Sequence, residues 1–239
     1  MRRLVLWDVD RTLLYVGEID RQVYREVFAE LLGRAPKALP AKGTGRTVPL
    51  ATREMFLING VAESQVAELT THALQLLPQR FDAYRHRLAS EGSLLPGAVE
   101  ALRRVRVLPG TVASVVTGNL RANALVKLDA FTLTQFLDVE VGGYASDDPH
   151  RPSLVGLAQQ RAGARYGVAF TRENTVIIGD SREDVSTGRE GGARVIGVAT
   201  GTTSASELRE CGADVVVNDL RDAEAVVAAV LTLTDGSVG

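Results

Sequence analysis

Leu4-Val5-Leu6-Trp7-Asp8-Val9-Asp10-Arg11-Thr12-Leu13 decides how this chain is read. An apolar run of this length near the N-terminus reads as a strand buried on both faces of a parallel sheet. It stops at two carboxylates, Asp8 and Asp10. Desolvating an unpaired carboxylate is costly, so the pair belongs where the strand opens to solvent, at its carboxyl end. In an open α/β sheet, ligands bind along that edge.

Taken alone, Asp8 and Asp10 also fit a solvated loop after a strand. Two later segments repeat the pattern, however. Val112 to Val116 runs into Thr117-Gly118-Asn119, and Val176 to Ile178 runs into Gly179-Asp180-Ser181-Arg182-Glu183-Asp184. Three apolar strands that each end in small or acidic polar residues read as one site built from three strand ends.

The remaining chain supplies the connections. Residues 3–7 are the first strand. From Glu18 to Leu32, Ile19, Val23, Val27, Phe28, Leu31 and Leu32 recur at helix spacing, with Gly33 as a stop. The segment from Ala35 to Thr47 carries two prolines and two glycines and reads as a loop, and Thr47 is placed to cap a helix that ends at Asn59-Gly60. Residues 63–89 read as one or two helices, with Pro78 as the break. No strand is evident between Tyr15 and Ser93. A helical block inserted after the first strand cannot sit inside the sheet and is expected to form a separate lid.

Strand and helix alternate from there on. A helix over 98–107 opens at Pro96-Gly97. Strand 111–117, helix 121–130, a short strand over 138–141 and a loop from Gly142 to Arg151 follow. Helix 153–166, strand 175–179, helix 183–190, strand 194–198, helix 205–211, strand 214–217 and helix 221–232 complete the series, with Asp235 to Gly239 as a loose tail. This alternation implies a parallel, doubly wound α/β sheet. The sheet-bearing core takes in 1–14 and 94–239, and the all-α insert takes in 15–93.

With 239 residues, 45% apolar and 23% charged, the chain has the composition of a globular protein of one or two domains. A net charge of −2 gives no electrostatic case for nucleic acid or an anionic membrane. No apolar stretch approaches the ~20 residues of a membrane span, and the run after the N-terminal arginines is too short for a signal peptide. The single cysteine, Cys211, rules out an internal disulfide and fits a reducing compartment, so a cytoplasmic protein is expected. His72, His86 and His150 share no spacing that suggests a metal site. Trp7 reads as core. Oligomeric state is left open between monomer and homodimer.

If the three strand ends converge, Asp8, Asp10, Asp180 and Asp184 share one site. Carboxylates so placed repel and cannot all stay ionised without a cation. An oxygen-only ligand set suits Mg²⁺, which also binds phosphate oxygens. Opposite them, the Thr117 hydroxyl and the backbone N–H groups of Gly118 and Asn119 stand at a helix start, where they can cradle an anion. A metal facing an anion cradle is what phosphoryl transfer requires.

These residues resemble the four motifs of the haloacid dehalogenase superfamily, in its phosphatase branch, across nearly the whole chain. Asp8-Val9-Asp10-Arg11-Thr12 matches D-x-D-x-T, Thr117 matches the second motif, and Gly179-Asp180-Ser181-Arg182-Glu183-Asp184 matches G-D-x-x-x-D. The resemblance implies a Rossmann-like core with a helical cap, and Asp8 as a nucleophile that forms an aspartyl-phosphate. It implies Asp10 as general acid and base, and Mg²⁺ held by Asp8, Asp180, the backbone carbonyl of Asp10 and, through water, Asp184. The third motif is a basic residue. Arg151 occupies its place, with Lys127 as the rival, and each could instead be a surface charge. Within the insert, Lys42 to Thr47 resembles the cap's substrate-facing loop. There Arg46 either binds an anionic group of the substrate or belongs to a solvated loop. The family usually carries glycine where this chain has Arg11. If that position needs φ > 0, arginine is strained there; if not, Arg11 can reach the lid or the substrate.

The function expected is a Mg²⁺-dependent phosphatase acting on a small phosphorylated metabolite, most like the phosphoglycolate phosphatases. A β-phosphoglucomutase-like isomerase and a catalytically inactive binding protein of the same fold are the alternatives. The absence of any histidine before His72 speaks for hydrolysis over the mutase branch, which places one just after the first motif. Asp10 speaks against a dehalogenase, and the lack of a clearly placed cap lysine against a phosphonatase. A receiver domain carries its acceptor on a middle strand and is about half this length.

Overall fold

The computed structural model describes residues 2–235. Among these, β1 (Arg3–Trp7) lies at the centre of a six-stranded parallel sheet. Its neighbours are β4 (Thr111–Thr117) on one side and β6 (Thr175–Gly179) on the other. The edges are formed by β5 (Gly143–Tyr144) beyond β4, and by β7 (Arg194–Val198) and β8 (Val215–Val217) beyond β6. Side chains alternate across the sheet, so each strand serves two cores. Val5, Trp7, Val115, Val176 and Ile178 join the layer packed by α5 (Ala98–Arg106), α6 (Arg121–Ala130) and α10 (Ala223–Thr234). Leu4, Leu6, Val112, Val116 and Ile177 face the layer packed by α7 (Ser153–Tyr166). Val195 faces Val185 of α8 (Arg182–Gly191) and Leu208 of α9 (Ala205–Glu210). The doubly wound α/β architecture expected from the alternation is therefore present, and Trp7 is core.

Between β1 and α5 the chain forms four helices: α1 (Gly17–Leu32), α2 (Val48–Ile58), α3 (Glu63–Asp82) and α4 (Arg85–Glu91). They enter and leave through a two-residue antiparallel ribbon, β2 (Leu14–Tyr15) against β3 (Ser93–Leu94). Strands that short carry no periodicity, so the sequence gives no sign of them. Phe28 of α1 stacks on Phe56 of α2, ring centroids 5.7 Å apart, and both belong to the same buried cluster as α6.

Five local expectations are corrected. Pro78 does not break its helix; α3 runs through it and the break falls at Ala83-Tyr84. Leu77 and Phe81 are buried on either side of the proline, and that packing outweighs one lost backbone hydrogen bond. Thr47 stands at the start of α2 but makes no cap bond, because its hydroxyl donates to the Pro149 carbonyl at 2.9 Å. Residues 138–141 are not a strand. The Asp138 carboxylate accepts from the Glu140 N–H and turns the chain into a 3-10 turn over Val139–Val141. The edge strand is Gly143–Tyr144, inside the segment expected to be a loop. Asp235, expected to belong to a loose tail, is ion-paired with Arg3, and 236–239 lie outside the described residues. No helix among the described residues is long and apolar enough to cross a membrane.

Gly97 opens α5 with φ 84°, and a Cβ there would meet the Leu220 carbonyl at 2.1 Å. Gly33 ends α1 with φ 65°, and a Cβ there would meet nothing within 4 Å. Gly33→Ala is thus expected to cost about 1–2 kcal/mol from backbone strain alone. Gly97→Ala adds a backbone clash and is expected to cost clearly more than Gly33→Ala. Urea denaturation midpoints of the two variants check this order.

Candidate active site

Beyond Trp7 the chain keeps its register with β6 for one residue: the Asp8 N–H donates to the Ile178 carbonyl at 2.9 Å. It then folds back sharply. The Arg11 N–H donates to the Leu14 carbonyl at 2.7 Å, and the Leu13 N–H to the Val9 carbonyl at 2.9 Å. This turn puts Arg11 at φ 65°, the left-handed region, which costs a side-chain-bearing residue about 1–2 kcal/mol. The Thr200 hydroxyl donates to the Arg11 carbonyl at 2.6 Å and helps to hold the turn. So the position does need φ > 0, and an arginine nevertheless occupies it. The guanidinium lies 4.5 Å from the centre of the Tyr15 ring and lines the cavity above the strand ends.

Asp8, Asp180 and Asp184 come together here. All three are buried, and one carboxylate oxygen from each lies within 4.8 Å of the others. Asp180 follows β6 directly. Asp184 sits in the first turn of α8, where it and Ser181 form a reciprocal capping box, with the Ser181 N–H donating to Asp184 Oδ2 at 2.9 Å. The buried Thr12 hydroxyl lies 3.2 Å from Asp180 Oδ1 and 3.4 Å from Asp8 Oδ2, joining the first and last motifs. One cation serves the group. Arg151 Nη2 donates to Asp8 Oδ1 at 2.7 Å and to Asp184 Oδ1 at 2.5 Å, and Nη1 to the Gly45 carbonyl at 2.5 Å. Its Nε is buried with no partner among the described residues.

That single guanidinium does not offset the crowding. Burial, and then the neighbouring Asp184, push the Asp8 carboxyl well above the usual range against the pull of Arg151. Burial and Asp184 likewise raise Asp180 to about 7, against Thr12 and Arg151. Oxygen-only donors that resist ionisation when dry are the ligand set of a hard divalent cation, and these three carboxylates fit Mg²⁺. The Asp10 side chain is not part of this set.

Asp10 instead faces a second cation. Lys127, from α6, is 1% exposed, and its ammonium has four acceptors: Asp10 Oδ1 at 2.8 Å, Asp10 Oδ2 at 2.9 Å, Asn119 Oδ1 at 2.9 Å and Asp20 Oδ2 at 3.0 Å. Burial alone would lower the lysine's proton affinity, but Asp10 and Asp20 more than offset it and keep it charged. Asn119 Nδ2 donates to Asp10 Oδ2 at 2.7 Å and to Thr117 Oγ1 at 2.8 Å. The two rivals for the basic residue are thus separated in space: Arg151 touches Asp8, and Lys127 touches Asp10. Nothing in the sequence singles out Asp20. In the first turn of a helix an acid reads as a favourable partner of the helix dipole, and no local feature distinguishes it.

The insert closes this cavity of about 200 Å³ from the far side. Loop 41–47 is tied to the core by the Val48 N–H on the Gly118 carbonyl at 2.7 Å, by Thr47 on Pro149, and by the Thr202 hydroxyl on the Gly43 carbonyl at 3.0 Å. Tyr15, Tyr24, Leu39 and Val48 give the cavity an apolar wall. Arg46 lines it too, half-exposed and paired with Glu54 at 2.5 Å.

A family model described as HAD-hydrolase-like matches residues 151–223, the stretch from Arg151 past the last motif. A protein of Dickeya dadantii named "Probable phosphatase IndB" is 28% identical over 249 residues, covering 100% of this chain and 99% of that one. A phosphoglycolate phosphatase of Caulobacter vibrioides is 29% identical over 167 residues, covering 70% of this chain and 68% of its own. The crystal structure of a predicted phosphatase from Clostridium acetobutylicum shares the fold with a TM-score of 0.71 at 19% identity, covering 95% of this chain and 99% of that one. Motifs, fold and relatives agree in kind: the chain is similar to haloacid dehalogenase-like hydrolases, and the relatives named here are phosphatases.

Proposed function

We propose that this protein hydrolyses a small phosphate monoester in two steps, through an aspartyl-phosphate on Asp8. The observation that carries this reading is the placement of Asp8 and Asp10 on one cavity with a different buried cation against each, Arg151 and Lys127. In the first step an Asp8 oxygen forms a bond to phosphorus, the ester P–O bond breaks, and Asp10 gives its proton to the departing oxygen. In the second, Asp10 takes a proton from water, the water oxygen bonds to phosphorus, and the bond to Asp8 breaks to release inorganic phosphate.

Asp8 and Asp180, with the Asp10 backbone carbonyl and, through water, Asp184, would hold Mg²⁺, which would supply the charge neutralisation that keeps Asp8 ionised beside a phosphate. Arg151 pairs with Asp8 and, through its free Nε, suits a phosphate oxygen. The Thr117 hydroxyl and the Gly118 backbone N–H receive the other phosphate oxygens, and the Asn119 N–H, directed at Thr117 Oγ1 at 3.3 Å, helps to orient that hydroxyl. Residues 15–93 act as a cap that excludes water and supplies the leaving-group contacts, with Arg11 and Arg46 as the substrate-binding cations. The named relatives point to a phosphoglycolate-like ester, and the modest cavity suits a small one.

Phosphate release from a panel of small esters, with Mg²⁺ and with EDTA, tests the reading. Release is expected with Mg²⁺ alone, and Asp8→Asn is expected to lower kcat by at least about 10³-fold. A fully active Asp8→Asn protein would remove Asp8 as the nucleophile.

The metal site has its own test in stability. A carboxyl raised from 3.8 to about 7 by folding contributes stability that is complete below its unfolded value and is lost as the pH rises through its folded one. In EDTA, wild type should therefore lose more stability than Asp180→Asn between about pH 4 and about pH 7. Added Mg²⁺ should restore wild type far more than the variant. Denaturation midpoints across that range supply the comparison.

A further inference from the structure

We infer that Asp20 is a positioning residue for proton transfer by Asp10, acting through Lys127. The inference rests on the phosphatase reading and deepens it. An ammonium has three N–H groups, and here they are shared among four acceptors at 2.8 to 3.0 Å. Two of those acceptors belong to Asp10 and one to its neighbour Asn119; Asp20 alone comes from the insert, in the first turn of α1. The Phe81 ring, also from the insert, lies 5.4 Å from the same nitrogen. Lys127 is therefore fixed in place before any substrate arrives.

The other acid in that turn behaves differently. Glu18 has a 70% exposed side chain and pairs with Lys42 at the surface. Support for the helix dipole is met there, and it does not require a second acid aimed at a buried lysine. Asp20 lines the cavity, and burial raises it to about 6 against the pull of Lys127. A carboxylate is costly to keep in such a place, and what it secures is the geometry of the ammonium and, through it, of Asp10.

That geometry bears on the reaction. Both Asp10 oxygens are bound, Oδ1 by Lys127 and Oδ2 by Lys127 and Asn119, so the carboxyl plane is set toward the cavity. A general acid must reach the leaving oxygen within a hydrogen bond, and a misplacement of ~1 Å costs about 10²-fold. Loosening Lys127 therefore harms the step in which Asp10 gives up its proton and spares steps that need no proton.

Leaving groups separate the two cases. An alkoxide must be protonated as it departs, whereas p-nitrophenolate departs without a proton. The experiment compares kcat/KM of wild type and Asp20→Asn on an alkyl phosphate and on p-nitrophenyl phosphate, each with Mg²⁺. The variant is expected to lose about 10- to 100-fold on the alkyl ester and less than about 3-fold on the aryl ester. Partial misfolding lowers both rates alike, so the ratio reads the folded enzyme; Asp20→Ala serves if the Asn variant cannot be purified. Equal losses on both esters, or no loss on either, overturn the inference while leaving the phosphatase intact. Wild type inactive on every ester overturns the phosphatase reading, and this inference with it.

Discussion

Buried negative charge is the constraint around which this protein is arranged. Two groups of carboxylates meet at the edge of the sheet, one of them completed by the first turn of α1, and each has one buried cation. Asp8 and Asp184 pair with Arg151, with Asp180 beside them; Asp10 and Asp20 pair with Lys127. Taking such groups from water costs several kcal/mol per ion, and partners of opposite charge recover it only with good geometry. In both groups the carboxylates outnumber the cation. The shortfall is greater around Arg151, where burial resists ionisation of Asp8 and Asp180. A site left short of positive charge in this way is prepared for a divalent cation and poorly suited to a bare anion.

The sheet makes the arrangement achievable. With β1 at its centre, pairing to β4 and β6 brings three chain segments to the same edge: Asp8 and Asp10, then Thr117 to Asn119, then Asp180 to Asp184. Both faces of these strands are packed, and the acidic residues come only where the apolar run ends. The insert completes what the edge begins. The Gly45 carbonyl accepts from Arg151, and Asp20 accepts from Lys127, so each cation is also tied to the helical layer.

Much of this is legible in the sequence because strand ends announce themselves. An uninterrupted apolar run that stops at a carboxylate has few explanations, and three in a fixed order point to one edge. The choice between Arg151 and Lys127 is not legible, since it turns on which carboxylate each reaches across more than a hundred residues of chain. Asp20 is hidden by its setting on an amphipathic helix, where a polar residue has an ordinary local explanation. The left-handed backbone of Arg11 is legible only as a question, because the residue type argues against the conformation it adopts. Pro78 misleads for the opposite reason: local propensity predicts a break, and the burial of Leu77 and Phe81 prevails.

The ribbon of Leu14–Tyr15 against Ser93–Leu94 has a consequence for how such a protein can diversify. Opposed residues in an antiparallel pair have their Cα atoms only about 4.5–5.5 Å apart, so the chain departs from the core and returns to it at almost one point. To the sheet, the whole helical layer is equivalent to a long hairpin loop. The helical layer can therefore vary in length without shifting a strand, within the ties that loop 41–47 and Asp20 make to the core. Lys127 limits that freedom. It belongs to the core but takes one of its two carboxylates from that layer, so an altered layer must keep an acid at the place of Asp20 or leave a buried charge half-served.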